Sequence, residues 1–187
     1  MDTSTIVIVV VVVVVLGIIL GLIFSRRKKT EQLQNKFGTE YDRTVESLGD
    51  DKSAQKELED RQKHVEELKI RPLTEVEHER YLAEWASVQS KFVDEPGAAI
   101  VDADHLIMEV MQLRNYPISD FDQRAADISV KYPKVVSNYR AARAISIKNM
   151  DNTADTEELR TAMIHYRSLF DELLKSETTI KEEEKMR

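Results

Sequence analysis

Residues 6–24, IVIVVVVVVVLGIILGLIF, form an unbroken run of nineteen residues without a charged or hydrogen-bonding side chain. A helix of this length rises roughly 28 Å, which is close to the thickness of the hydrocarbon core of a bilayer. Because lipid offers the backbone no hydrogen-bond partners, such a segment must satisfy its own backbone groups as a helix. The sequence therefore predicts a transmembrane helix over residues 6–24.

The residues on either side of this run favour an uncleaved anchor. A cleaved signal peptide would carry basic residues before the apolar run and a small-residue cleavage site after it, and a buried core helix would show a polar face. Residues 1–5 contain Asp2 and no base, whereas four basic residues follow the run directly: Arg26, Arg27, Lys28 and Lys29. We call these four residues the basic cluster. They predict a short outer N-terminus and a cytoplasmic location for residues 25–187, because basic residues near a span stay inside.

The basic cluster also predicts contact with the membrane surface. Basic side chains beside a span attract anionic lipid headgroups with about 1 kcal/mol per charge. The role of a stop signal explains the cluster equally well, so specific lipid recognition stays an alternative.

Two glycines of the predicted span, Gly17 and Gly21, form a G-x-x-x-G motif. Glycines at this spacing let two membrane helices approach closely, which predicts a homodimer through this face. Glycine is common in membrane helices, so a chance occurrence is the alternative interpretation.

The rest of the chain is acidic. The whole chain has a formal charge of −7, and without Asp2 and the basic cluster 23 basic and 33 acidic residues remain, about −10 for residues 30–187. This balance disfavours nucleic acid as a partner, because nucleic acid requires a basic surface. The chain contains no cysteine, which excludes disulfides, thiol nucleophiles and thiolate metal sites.

Beyond the predicted span, apolar residues recur at steps of three and four, and no alternating strand pattern appears. Thr74 with Glu77, and Asp155 with Glu158, predict two capping boxes at helix starts. The predicted fold is all-α, with a transmembrane helix, an amphipathic stalk and a multi-helix bundle. The predicted divisions are 1–5 outer terminus, 6–24 span, 25–70 basic cluster and stalk, 71–174 bundle, and 175–187 charged, disordered tail.

Two further helix starts are predicted from local signals. Gly38 interrupts the amphipathic pattern of the stalk, and Thr39 with Asp42 is expected to cap the next helix. Ser119 with Asp122 is expected to cap a short helix that precedes Tyr132-Pro133.

The sequence contains no convincing metal or catalytic set. Asp102, His105 and Glu109 share one side of a predicted helix, but they lie off its apolar stripe and are expected to face water. No glycine-rich phosphate loop, G-x-S-x-G or H-E-x-x-H is present. We therefore expect no metal, no cofactor and no enzymatic activity.

The segment 116–140, YPISDFDQRAADISVKYPKVVSNYR, has the densest mixture of aromatic and charged residues. Arg124, Asp127, Tyr139 and Arg140 could form a groove for an acidic or phosphorylated partner, and Arg124 could pair with Asp127. The alternative is a helix–loop–helix corner in which the prolines set the turns and the aromatic side chains fill the core.

Several runs of residues carry a family resemblance. They are FGTEYDRT at 37–44, FVDEP at 92–96 and RAADISV at 124–130, with further matches at 132–133, 139–140 and 156–170. The chain resembles a bacterial family of uncharacterised small membrane proteins with one N-terminal span and a helical cytoplasmic body. The resemblance covers most of residues 33–174 and implies the inner membrane of a bacterium, but no substrate, cofactor or catalytic residue.

Together these features predict a membrane-anchored interaction or scaffold protein that faces the cytoplasm and binds a protein partner near the bilayer. Two alternatives remain: an enzyme with a carboxylate and arginine groove around residues 116–140, and an envelope-stress or structural protein without a discrete partner.

Overall fold

The computed structural model describes residue 17, residues 27–118 and residues 120–175. Within these residues the chain is helical and contains no strand, which confirms the predicted all-α class and the helical bundle. We number the helices α1 (27–37), α2 (Thr39–Leu48), α3 (Asp51–Glu67), α4 (Glu75–Asp94), α5 (Pro96–Leu113), α6 (Phe121–Lys131), α7 (Val136–Met150) and α8 (Thr156–Leu174).

The predicted membrane segment is largely outside this description. Of residues 6–24 only Gly17 is described, and it is helical and exposed. Gly21, Arg26, residues 1–5 and the tail from 176 onward lie outside the described residues. Within the part that the structure describes, every helix is too short or too polar to cross a membrane.

The chain divides into two compact units, Met1–Gln55 and Lys56–Arg187, so the division falls inside α3. The predicted boundary between residues 70 and 71 stays a prediction. In the first unit the buried Tyr41 hydroxyl donates to Asp51 at 2.9 Å and accepts from Gln55 at 3.3 Å. These contacts join α2 to the start of α3.

Helix α2 begins directly after Gly38, as predicted, but its N-cap residue is not the predicted one. Gly38 has a positive φ of +52°, which glycine adopts at little cost, and it interrupts α1. Gly38 itself is the N-cap residue, and no side chain caps α2. The prediction that Thr39 and Asp42 cap this helix is therefore wrong, because the turn at Gly38 already places Thr39 inside the helix.

In the second unit α5 packs on α4 and α8, α7 packs on α8, and α6 packs on α7. The largest buried side chain is Trp85, whose ring stacks on Phe170 with centroids 4.5 Å apart. Burial of such apolar surface is the main favourable term in folding. The core of this unit therefore lies among α4, α5, α6, α7 and α8.

The caps of the second unit are mostly those that the sequence predicts. Both capping boxes, Thr74 with Glu77 and Asp155 with Glu158, are confirmed. The cap of α6 is instead Asp120, whose side chain accepts from the backbone N–H of Gln123 at 3.1 Å. The predicted cap, Ser119 with Asp122, is wrong by one residue, because Asp120 is the N-cap and Asp122 already lies in the first turn. Ser119 lies outside the described residues.

Candidate functional site

The predicted partner residues lie in the α6–α7 corner, the name we use for residues 121–140. Arg124, Asp127 and Tyr139 are buried, and the Arg140 side chain is 18% exposed. All seven residues from Arg124 to Val130 are buried, so two turns of α6 are covered on every side. Three of the four predicted partner residues therefore lie in the interior, as the packed-corner alternative describes.

Inside the corner, aromatic rings and guanidinium groups pack together. The centroid of the Phe121 ring lies 4.9 Å from that of the Tyr139 ring. The guanidinium groups of Arg124 and Arg143 lie 5.9 and 5.7 Å from the centroid of the Phe121 ring. Arg124 Nε donates to the Tyr139 hydroxyl at 3.4 Å. Burial raises the pKa of Tyr139. This phenol is therefore a neutral hydrogen-bond partner at physiological pH and not a base.

A second buried polar group lies beside the corner. Asp104 on α5 accepts from Arg143 at 3.5 Å, while its other oxygen, Oδ1, is buried without a hydrogen-bond partner. The Tyr166 hydroxyl on α8 lies beside Asp104 and Ser146. Burial, and then the negative charge of Asp104, raises the pKa of Tyr166. No local sequence pattern indicates this group, because its members come from three different helices.

Asp127 does not form the ion pair with Arg124 that their three-residue spacing allows, and takes other partners instead. Its Oδ1 accepts from Gln123 at 2.8 Å and lies 3.6 Å from Nε2 of His64 on α3. Its Oδ2 is buried without a partner. Burial raises the pKa of Asp127, and the amide of Gln123 and the charges of His64 and Arg61 oppose this.

Arg114, to which no sequence pattern points, links the corner to the end of α8 and to the segment before α4. Its side chain is buried, and Nη1 donates at 2.7 Å both to the Tyr132 hydroxyl and to the carbonyl of Leu173. Its Nε donates to the carbonyl of Arg71 at 3.0 Å. A cation is favourable at the C-terminus of α8, where backbone carbonyls lack helical partners. Arg114 therefore fixes the end of α8 and the segment before α4.

Between those two segments lies an open depression of about 500 Å³. We call it the leucine groove; it is lined by Leu73, Thr74, Glu75, His78, Leu82, Asp171, Leu174 and Lys175. The apolar spacing along α4 predicts a buried stripe of Tyr81, Leu82, Trp85, Val88 and Phe92, yet the Leu82 side chain is 42% exposed. The prediction is wrong for this residue, because Leu82 follows the buried Tyr81 and points to the edge of the stripe.

One wall of the leucine groove is held rigidly by the cap of α4. Glu77 accepts hydrogen bonds from Nη2 and Nη1 of Arg71, at 2.8 and 2.9 Å, and completes the capping box with Thr74. Arg71, followed by the backbone N–H of Thr74, lowers the pKa of Glu77 to about 2. Glu77 is therefore ionised throughout the physiological pH range, and the start of α4 keeps its position.

The exposed apolar surface continues past the groove. Val76, on the first turn of α4, is 76% exposed, and Val93, at the opposite end of the same helix, is 82% exposed. Only the first of these two valines adjoins the leucine groove in sequence. The pair therefore offers a matched comparison of one residue type at two ends of one helix.

The remaining predicted residues are placed as follows. Arg27, Lys28 and Lys29 are exposed on α1. Asp102 accepts from Lys91 at 2.7 Å, an ion pair between α5 and α4. Within residues 27–118 and 120–175, no three His, Asp or Glu side chains are arranged to hold a metal ion.

Comparison with known proteins adds no identity to this geometry. No protein-family model matches the chain, and no curated protein and no solved structure is similar to it. The bacterial family and the inner-membrane location suggested by the sequence stay predictions.

Proposed function

We propose that this chain is a membrane-tethered interaction module. Residues 6–24 anchor it in the inner membrane of a bacterium with the N-terminus outside, and the helical body recruits a protein partner on the cytoplasmic side. The apolar run and the basic cluster support the tether and its orientation. The leucine groove is the observation that supports a docking role.

The chemistry of the groove indicates which kind of partner it fits. Leu73, Leu82 and Leu174 offer an apolar lining, which suits a leucine or methionine side chain of an amphipathic helix. On the rim, the carboxylate of Glu75 makes no ion pair within the described residues, whereas Asp171 is already paired with Arg167 at 2.7 Å. We therefore commit to a partner helix with an apolar anchor and a Lys or Arg that faces Glu75.

The acidity of the whole body supports the same choice. Residues 30–187 carry about −10. Such a surface accelerates encounter with a basic partner and repels an acidic one. A basic amphipathic helix satisfies both the apolar lining and the charge.

Site-specific photocross-linking in intact membranes tests the docking role. A photoreactive residue replaces Val76 beside the groove, and the same residue replaces Val93 as the matched control. We expect a discrete cross-linked protein from position 76 and not from position 93. The cross-link should disappear in Leu82→Glu and in Leu73→Glu, and the captured protein, once purified, should bind the wild-type chain at least tenfold more tightly than Leu82→Glu.

Equal cross-linking from both valines would contradict the docking role, because it would show a generally adhesive surface. The tether is tested separately. A C-terminal fluorescent protein should be active and a C-terminal alkaline phosphatase inactive, and alkaline carbonate should leave the chain in the membrane.

The alternative of an enzyme requires arginine and carboxylate groups that a substrate can reach. Arg124, Asp127 and Tyr139 are buried, so the α6–α7 corner gives that alternative no support. An envelope-stress or structural protein without a discrete partner would pass the tether tests and give no groove-dependent cross-link.

A further inference from the structure

The contact between α3 and α6 places His64 opposite the carboxylate of Asp127. Nε2 of His64 is buried and lacks a hydrogen bond, although 44% of the His64 side chain is exposed to solvent. Opposite it lies Asp127, whose side chain is 0% exposed and whose Oδ2 lacks a partner. A half-exposed imidazole therefore points one nitrogen at a buried carboxylate.

Whether His64 can donate a hydrogen bond to Asp127 depends on the protonation state of the imidazole. Nε2 and Oδ1 are 3.6 Å apart, slightly too far for a hydrogen bond. When the imidazole is neutral, its proton can reside on either nitrogen, and a bare Nε2 would face the carboxylate as a second acceptor. When the imidazole is protonated, Nε2 always carries a proton, and a shift of a few tenths of an ångström gives a charge-assisted hydrogen bond.

The neighbouring groups leave the carboxylate dependent on this proton. Gln123 on α6 supplies one neutral donor at 2.8 Å. Arg61 on α3 contributes positive charge but also binds Glu57 at 2.9 Å. The other charged residues within a turn of the pair are Asp60, Lys63, Glu66 and Glu67 on α3 and Arg124 and Lys131 on α6.

We propose that His64 and Asp127 form a proton-operated clasp that fastens the residues 56–67 part of α3 to α6. The clasp closes when the imidazole carries a proton on both nitrogens, and it weakens when the imidazole is neutral. This goes beyond the docking function, because it makes the attachment of α3 to α6 depend on a proton.

Hydrogen exchange of the full chain in lipid nanodiscs tests the clasp. Protection of the amides of residues 56–67 is compared between wild type and His64→Gln at pH 6 and at pH 8, so that the intrinsic pH dependence of exchange cancels at each pH. We expect wild type to be more protected on the order of fivefold at pH 6 and less than twofold at pH 8. The exposed His105→Gln on α5 is the matched control and should behave as wild type at both values.

Asp127→Asn removes the carboxylate of the clasp and keeps a side chain of nearly the same shape. In this variant the protection of residues 56–67 should be the same at both pH values after intrinsic correction, and His64→Gln should have no additional effect. Equal protection of wild type and His64→Gln at pH 6 would overturn the proposal. So would a pH dependence that survives in Asp127→Asn. Failure of the cross-linking experiment would leave both outcomes unchanged, so the two proposals are separable.

Discussion

The α6–α7 corner and the leucine groove lie in the same unit but place their residues in opposite ways. The corner takes Arg124 and Asp127 into the interior, whereas the groove leaves Leu82 exposed. Polar side chains can be buried when neighbouring helices supply partners, as Tyr139 does for Arg124. Residue type alone therefore does not tell which of the two regions meets a partner.

The largest expected effect is in the corner. Tyr139→Ala should lower the free energy of unfolding by about 3–5 kcal/mol, because it removes a fully buried ring packed on Phe121 and Tyr166. Urea unfolding followed by fluorescence of Trp85, the only tryptophan, measures this. Tyr139→Phe is the control and should lose about 1 kcal/mol, since only the hydroxyl that accepts from Arg124 is removed. A loss below 1 kcal/mol for the alanine variant would show that the corner is loosely packed.

Replacing Arg114 tests whether its hydrogen bonds between the corner and the segments beside the groove stabilise the fold. Arg114→Ala should cost about 2–3 kcal/mol, because the Tyr132 hydroxyl and the carbonyls of Leu173 and Arg71 lose a buried donor. The same urea titration measures it. Arg80→Ala, which removes an exposed pair with Glu84 on α4, is the matched control and should change stability by less than about 0.5 kcal/mol. Equal effects of the two variants would remove Arg114 from its connecting role.

Asp127 predicts how the corner responds to pH. Its folded-state pKa is raised, so the folded chain holds this proton more tightly than the unfolded chain, and stability falls as the pH rises through the folded pKa. Asp127→Asn should therefore raise the free energy of unfolding by about 1 kcal/mol at pH 8 and flatten its pH dependence. Urea titrations at pH 5, 6.5 and 8 measure this. Asp122→Asn, 94% exposed on the same helix, is the control that should leave the profile unchanged.

The smallest effect on stability is expected in the groove. Leu82→Ala should change the free energy of unfolding by no more than about 0.5 kcal/mol, because its side chain is already exposed. Leu169→Ala on α8, at 0% exposure, should lose about 2–5 kcal/mol. Similar losses for the two leucines would show that the groove is part of the core, and the comparison with the corner would fail.

The helix N-termini show which features of the fold can be predicted from local sequence. The boxes at Thr74 and Asp155 were predictable because a cap involves residues only three apart. The start of α6 was misplaced by one residue, since three aspartate and serine candidates lie together there and the backbone entry angle selects Asp120. Leu82 was misassigned because adjoining helical residues point about 100° apart, and only the neighbouring helices decide where the buried stripe ends.

The amino-acid sequence was sufficient to identify the apolar run, the basic cluster and the acidity of the body, and to predict the all-α class and most of the breaks between helices. These depend on composition, on a 3.6-residue period and on contacts within one turn. The packing of the helices was needed to show that Arg114 binds the end of α8, that Asp104 lies beside Tyr166, and that His64 faces Asp127. Each of these contacts joins residues at least 50 positions apart, and their approach depends on how whole helices pack, which no local pattern encodes.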